Sequence, residues 1–365
     1  MPFQIIRNDI TKVKADAIVN TANPKPRIGR GTDSAIYAAA GEEQLIAARE
    51  KIGDIAPGQA VHTSAFALDA KYIIHTVGPV WVDGTHGERD TLRSCYENSL
   101  ALADSLGCES IAFPLIATGT YGFPKDEALH IALSEIQRFL LTHEMKVTIV
   151  VFDRKALELS ESLVGGIEQF IDDHTARELH AKERDGNRSE MARCRRAGHD
   201  EEPGMYSNIS GLSEPLPREE TIVADEDLGL APAPTAAMQD LSGKSLDEIL
   251  GDAGDSFQQR LLKLIDERGM DDVTVYKKAN IDRKVFSRIR CKPDYKPKKK
   301  TALAFAIALE LDMPTMTDLL SRAEIALSPS NTFDLIITYF ITNKNYDIFE
   351  INAALFKYGQ PILGE

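Results

Sequence analysis

The chain has 365 residues, a formal net charge of −14, 43% hydrophobic and 27% charged residues. That length exceeds what one core usually serves, so two or three domains are expected, and the composition excludes collagenous, disulfide-stapled and wholly disordered classes. No apolar run reaches the roughly 18 residues of a membrane span, and the opening MPFQIIRNDITKVKAD meets charge too early for a signal peptide, which points to a cytoplasmic protein with no membrane partner. Cys95, Cys108, Cys194 and Cys291 form no C-x-x-C pair and the histidines show no ligand spacing, so neither a metal nor a cofactor is expected.

The charge is unevenly placed. Residues 1–173 hold 16 Lys and Arg against 24 Asp and Glu, whereas residues 256–365 hold 17 against 14. Within the latter, Lys277 to Lys300 holds eleven basic residues against Asp282 and Asp294. A local basic face of this kind is a candidate for phosphate contact.

From Phe3 to about Asp173, short β-rich runs (AIVN, YIIHTV, SIAFPLI, VTIVVF) alternate with helical stretches such as DSAIYAAAG and KDEALHIALSEIQRFLL, the pattern of a layered α/β domain. From 174 to 245 charge mixes with Pro, Gly and Ser, which predicts a disordered linker. Residues 246–365 read as an all-α domain, with Phe257, Leu261, Leu264 and Ile265 at helical spacing.

Two segments carry the chemistry of the first domain. In DAIVNTANPKPRIGRGTDSAIYAAAG a strand runs into a loop containing Gly29 and Gly31 and a helix opens near Asp33, for which helix capping is the plain structural role. In FPLIATGTYGFPKDEA a strand over 110–116 gives way to Thr118, Gly119, Thr120, Tyr121 and Gly122 before a helix near Lys125. Glycines admit close backbone approach, and the first amides of a helix are unpaired donors at its positive end, so each loop suits an anion and the pair suits a diphosphate. His62 and His75 fall on strands and are expected to be packed and hydrogen-bonded.

Seven motifs in order, NDIT (8–11), DAIVNTAN (16–23), GRGTDSAI (29–36), GQAVHTSAF (58–66), KYIIHTVGP (71–79), IATGTYGFP (116–124) and VVFD (150–153), make residues 1–173 resemble the macro domain, an α/β three-layer fold with a mixed sheet between helices. The resemblance implies ADP-ribose binding. Asp9 would bond the adenine amino group, with Ile10 and Phe152 against the base. The Gly29, Gly31, Thr32 loop and the Thr118–Gly122 loop, closed by Tyr121, would hold the diphosphate and distal ribose. Asn23 and Asp33 match the pair that orients that ribose and assists water in the hydrolytic branch of the family. The sequence differs from the family at Asn8, Ile28 and Arg30, where glycine is common, and at Tyr37, where the hydrolytic branch often carries histidine.

In the last domain, VTVYKKANIDRKVFSRI reads as a helix, a turn at Asn280 and a second helix capped by Asp282, similar to the helix-turn-helix of phage-repressor-like domains. That resemblance implies a helix presenting Arg283, Lys284, Ser287 and Arg288 to double-stranded DNA. Val285, Phe286 and Ile289 would lie behind it, with Lys292, Lys296 and Lys298–Lys300 on phosphates. Tyr276 departs from it, standing where a small residue is usual. The apolar stretch from Thr332 onward is expected to complete the core or to support a homodimer. The resulting expectation is a macro domain that hydrolyses mono-ADP-ribose from protein or deacetylates O-acetyl-ADP-ribose, carried to DNA or a protein partner by the helical domain. The alternative is a non-catalytic ADP-ribose sensor acting on that domain.

Overall fold

Alternation of two along the strands dictates the architecture. In the computed structural model, which describes residues 2–153, 157–175, 177, 255–292 and 295–364, strands β1 (Phe3–Arg7), β2 (Ala17–Thr21), β3 (Ala60–Ser64), β4 (Tyr72–Thr76), β5 (Ser110–Phe113) and β6 (Lys146–Val151) form one sheet. Ala17 and Val19, Ile74, Ile111 and Phe113, and Val147 and Ile149 join one core cluster. Ile18, Ile73, Ala112 and Val150, one residue out of step, join the other. Opposite faces of a pleated strand are thereby both buried, as in a sheet covered on two sides. Helices α1 (Thr32–Ala40) and α2 (Glu42–Ile52) cover the second face, and α3 (Glu88–Ser105) and α4 (Lys125–Thr142) the first. This is the expected mixed sheet between helical layers. β5 stops at Phe113 rather than running to 116, because Pro114 has no N–H to continue the ladder.

The strand order is β1-β6-β5-β2-β4-β3. Every neighbouring pair is parallel except β3 with β4. After β2 the chain crosses over towards β4, and after β5 it crosses the other way towards β6. The β5/β2 boundary is therefore a topological switch point, where two diverging loops leave a crevice at the carboxyl ends of the strands.

A helix over 161–175 (α5) precedes the helical part. There α6 (Phe257–Glu267), α7 (Asp272–Lys278), α8 (Arg283–Cys291), α9 (Lys299–Ala308), α10 (Met313–Ser321), α11 (Thr332–Thr342) and α12 (Ile348–Lys357) follow. Ser256 and Gln259 close a capping box on α6. Asp282 caps α8 by accepting from the Lys284 amide, and Asn280 turns the chain at φ 53. The expected disordered linker over 174–245 and the opening of the last domain at 246–254 lie outside the described residues, apart from His174, Thr175 and Arg177.

A disordered linker over 174–245 implies loose tethering of the helical part; residues 1–173 and 254–365 instead form one compact unit with a shared apolar core. The docking residues include Tyr276, which departs from the helix-turn-helix pattern, and Asn280, its turn residue. The fully buried Asn280 side chain accepts from the Phe3 amide at 2.9 Å and donates to the Phe3 carbonyl at 2.9 Å, which pairs the free edge of β1 as a neighbouring strand would. Tyr276 donates its hydroxyl to Glu144 at 3.0 Å, and Lys277 donates to the Leu141 carbonyl at the end of α4. Phe349 packs on Phe3 with ring centroids 4.7 Å apart. The apolar stretch from Thr332 onward serves the first of its two expected uses, completing the core: Phe333, Ile336, Ile337, Phe340, Ile341, Phe349 and Leu355 are all buried.

Leaving both Phe3 backbone groups buried without partners should be costly. Asn280→Gly keeps the positive φ while deleting the amide, and is expected to lower the unfolding free energy by about 2–4 kcal/mol, measurable by urea denaturation. An unchanged midpoint would mean that the β1 edge is satisfied in another way.

Candidate functional site

Four segments singled out in the sequence emerge at the carboxyl ends of four consecutive strands. Asp9 and Ile10 follow β1, Phe152 follows β6, the Thr118–Gly122 loop follows β5, and the Asn23–Thr32 loop follows β2. At about 4.8 Å per strand spacing this row spans roughly 14 Å.

The two loops enclose a cleft of about 720 Å³ over the switch point. Asn23, Gly29, Gly31, Thr32, Asp33, Thr118, Gly119, Thr120 and Tyr121 line it together with Arg27, Ile28, Arg30 and Gly78. Asp9, Ile10, Gly122 and Phe152 are not part of this lining. Asp9 and Phe152 stand at the neighbouring strand ends, and Phe152 is 80% exposed, the most exposed large apolar side chain among the described residues. Asp9 spends only Oδ1 on the Thr11 amide and hydroxyl, which holds its carboxyl below the usual range. Ile10 is buried beneath them.

The donors that face the cleft differ in part from those expected. Gly29 does not offer its amide outward: its N–H donates to Asp33 Oδ2 at 2.5 Å. The outward donors at this loop are the first amides of α1, which starts at Thr32 after Gly31 at φ 67 and carries no side-chain cap. Across the cleft, the amides of Thr118, Gly119, Thr120 and Tyr121 donate to no protein group among the described residues, while Gly122 turns back to the Gly119 carbonyl. Ala117, at φ 63, begins this loop in a conformation non-glycine residues rarely adopt. Arg27 and Arg30 add guanidinium groups at the cleft wall. Arg30 stands where the family commonly has glycine and Arg27 lies three residues before it; two arginines within an anion-binding loop are a signal present in the sequence.

Asp33 is not the helix cap, which falls on Gly31. Its side chain is buried at 2% exposure and bridges two donors, Gly29 N–H and Asn20 Nδ2, the latter at 2.6 Å on Oδ1. Burial raises its pKa, opposed by the Gly29 amide, the Asn20 amide and the charge of Arg49. Asn23 and Asp33 do converge, because a Cβ added at Gly29 would lie 2.6 Å from Asn23 Nδ2 and 3.0 Å from Asp33 Oδ2. Glycine is required between them for steric reasons. Tyr37 does not reach the cleft: it is buried in the α1/α2 layer, and burial pushes its pKa up to about 12. His75 is buried as expected, whereas His62 is exposed on β3.

In the helical part, Arg283, Lys284, Ser287 and Arg288 are exposed on α8 and Phe286 and Ile289 are buried, with Val285 half-buried. Lys292 is exposed beyond them. Two of the lysines expected on phosphates are otherwise engaged: Lys299 pairs with the buried Asp334 at 2.6 Å, and Lys296 with Glu324. Spacing alone had not shown that Asp83, His86 and Glu88 gather three potential ligand atoms. Glu88 accepts from the amides of Val82, Gly84 and His86, and so organises that loop.

This arrangement agrees with comparisons to known proteins. The family profile described as "Macro domain" matches residues 19–132. An O-acetyl-ADP-ribose deacetylase of Citrobacter rodentium is 44% identical over 167 residues, covering 44% of this chain and 94% of that protein. A macro domain-containing protein of Chlorobaculum tepidum is 47% identical over 147 residues, covering 40% and 84%. Among solved structures, the Oceanobacillus iheyensis macrodomain with ADP is 37% identical, covering 42% of this chain and 85% of that one, with a TM-score of 0.41. The chain belongs to the macro domain family.

Gly29→Ala is expected to push Asn23 and Asp33 apart and to weaken binding of a nucleoside-diphosphate sugar at least about tenfold, whereas Gly31→Ala meets open space but must hold φ 67 and ψ −126, a region nearly confined to glycine, and is expected to lower folding stability by about 1–3 kcal/mol while leaving the Asn23/Asp33 spacing intact. Calorimetric titration of both variants checks the contrast.

Proposed function

We propose that the cleft binds ADP-ribose and that the protein removes the group attached to the distal ribose, as a mono-ADP-ribosyl hydrolase or an O-acetyl-ADP-ribose deacetylase. The observation that carries this reading is the convergence of two donor loops and the Asn23/Asp33 pair on one crevice at the switch point, in line with the base-sized platform of Asp9 and Phe152. The adenine amino group would donate to Asp9, whose Oδ2 is unengaged among the described residues, and the ring would lie on Phe152. The diphosphate would take the amides at the start of α1 and those of Thr118–Tyr121, with Arg27 and Arg30 neutralising its charge.

At the distal ribose the chain's contribution is positioning. Asn23, half-buried and, among the described residues, bonded through its side chain only by a 3.3 Å contact to the Arg27 carbonyl, would present an amide to a ribose hydroxyl. Asp33 holds the loop and keeps lone pairs for a water directed at the ester or glycosidic carbon. In the deacetylase water adds to the acyl carbon, the ester bond breaks and the ribose hydroxyl leaves with the proton; in the hydrolase water adds to the anomeric carbon of the distal ribose, the bond to the protein side chain breaks and that side chain leaves. The deacetylases among the relatives support this reading.

The helical part would then deliver the activity. Arg283, Lys284, Ser287 and Arg288 form an exposed stripe on α8 fit for the major groove of duplex DNA. A second reading, an ADP-ribose sensor, is favoured by the docking of α7 and α12 on β1 and α4, the same elements that lead to Asp9 and away from Gly122.

Incubation with glutamate-, arginine- and serine-linked ADP-ribosylated proteins and with O-acetyl-ADP-ribose, alongside calorimetry with free ADP-ribose, tests these readings. Turnover that Asn23→Ala lowers about 100-fold, with affinity held within a few-fold, fits the hydrolase. Tight binding without turnover of any substrate fits the sensor, and no binding removes both. For DNA, affinity should fall steeply between about 50 and 200 mM salt, with a log–log slope that Lys292→Ala reduces by about 1.

A further inference from the structure

Asn20 and His75 are register partners on the adjacent parallel strands β2 and β4, and alternation places both on the face covered by α1 and α2. Both are completely buried. Asn20 Nδ2 lies 2.6 Å from Asp33 Oδ1 and 3.2 Å from His75 Nδ1, and His75 Nε2 lies 3.0 Å from Thr63 Oγ1, which donates to the Ser64 carbonyl.

Donor and acceptor roles can be assigned along this row. The Thr63 hydroxyl hydrogen goes to Ser64, so His75 Nε2 must donate to Thr63 and His75 Nδ1 must accept from Asn20. Asn20 then turns its amino group to both His75 and the carboxylate, and its Oδ1 has no partner among the described residues. That orphan is the cost of the arrangement, and an amide flipped to satisfy it would face the Asp33 carboxylate with its own oxygen.

Resting on the reading of the cleft as an ADP-ribose site, we propose that Asn20 and His75 are positioning residues, and that a neutral His75 protonated at Nε2 holds Asp33 as an ionised clamp on the Gly29 loop. The protein ring is suited to this. Burial, with the charges of Arg49 and His62 adding to it, pulls the His75 pKa down to about 3, so the ring stays neutral through the working range. Asp33 is the opposite case: burial raises its pKa and the donors from Asn20 and Gly29 lower it. The other groups facing Asp33 are Arg49 from α2, Tyr37 on its own helix and Tyr121 from the loop after β5, and burial raises the pKa of both tyrosines. None of these three titrates in the acid range where Asp33 would protonate. Protonation of Asp33 would release the Gly29 amide, so ligand affinity should have an acid limb set by this carboxyl.

The test is the pH profile of ADP-ribose affinity for the full chain. His75→Leu removes the acceptor that orients Asn20, and should move the acid limb up by about 1 pH unit. His75→Gln, which can accept from Asn20 and donate to Thr63, should restore it, and His62→Gln controls for the exposed ring on β3. An unshifted limb in both His75 variants overturns the proposal. A readout independent of ligand covers a His75→Leu protein that fails to fold. The imidazole ¹⁵N–¹H correlation of the unsubstituted protein, assigned by its loss in His75→Gln, should show a neutral ring protonated at Nε2 at pH 5. Protonation at Nδ1, or a charged ring there, overturns it. If the unsubstituted protein bound no ADP-ribose, the proposed function would fall, and the tautomer would still decide whether the row is wired in this way.

Discussion

A carboxylate at 2% exposure needs donors, and Asp33 finds them in the Gly29 amide and the Asn20 side chain. That bridge ties a loop, a helix and a central strand together. It decides which amides of the loop remain available: Gly29 is consumed, and the donors that face the cleft are those of the first turn of α1. It also requires glycine at 29, where a Cβ would collide with Asn23. The shape of one wall of the cleft is therefore set from beneath, by a buried polar contact.

The opposite wall depends on strand order. β2 and β5 are adjacent and parallel but send their chains in opposite directions, so their following loops must part and leave room between them. Once the crevice exists, the carboxyl ends of β6 and β1 extend it sideways, with Phe152 held in solvent at one end. The helical part is anchored elsewhere. Asn280 completes the edge of β1 at Phe3, and Tyr276 and Lys277 meet the far end of α4, so the two parts of the chain share a core while the cleft stays clear at the other end of the sheet.

Much of the first domain was legible in the residues. The two Gly-containing loops lie within single strand–loop–helix units that local chemistry is enough to recognise, whereas the roles of Asp9, Phe152 and the Asn23/Asp33 pair came only from the resemblance to the macro domain. On α8, the faces implied by the helix-turn-helix resemblance match the exposed Arg283, Lys284, Ser287 and Arg288 and the buried Phe286 and Ile289, as a helical period requires. Tyr276 and Asn280 were harder to interpret. Within the helical part Tyr276 was an anomaly and Asn280 a turn residue, and neither showed that Tyr276 meets Glu144 after α4 or that Asn280 meets a strand more than 270 residues away in the sequence.

Sequence alone determined the identity of the elements, the α/β pattern, the loops able to receive an anion and the basic stripe, because each is a property of neighbouring residues and their period. Tertiary structure decided which amides are free, that Asp33 clamps a loop rather than capping a helix, that Lys299 serves Asp334, and that the helical part docks on the sheet edge. Those outcomes turn on burial and on partners brought together across the fold, and a buried polar group takes whichever donor or acceptor the packing places within about 3 Å.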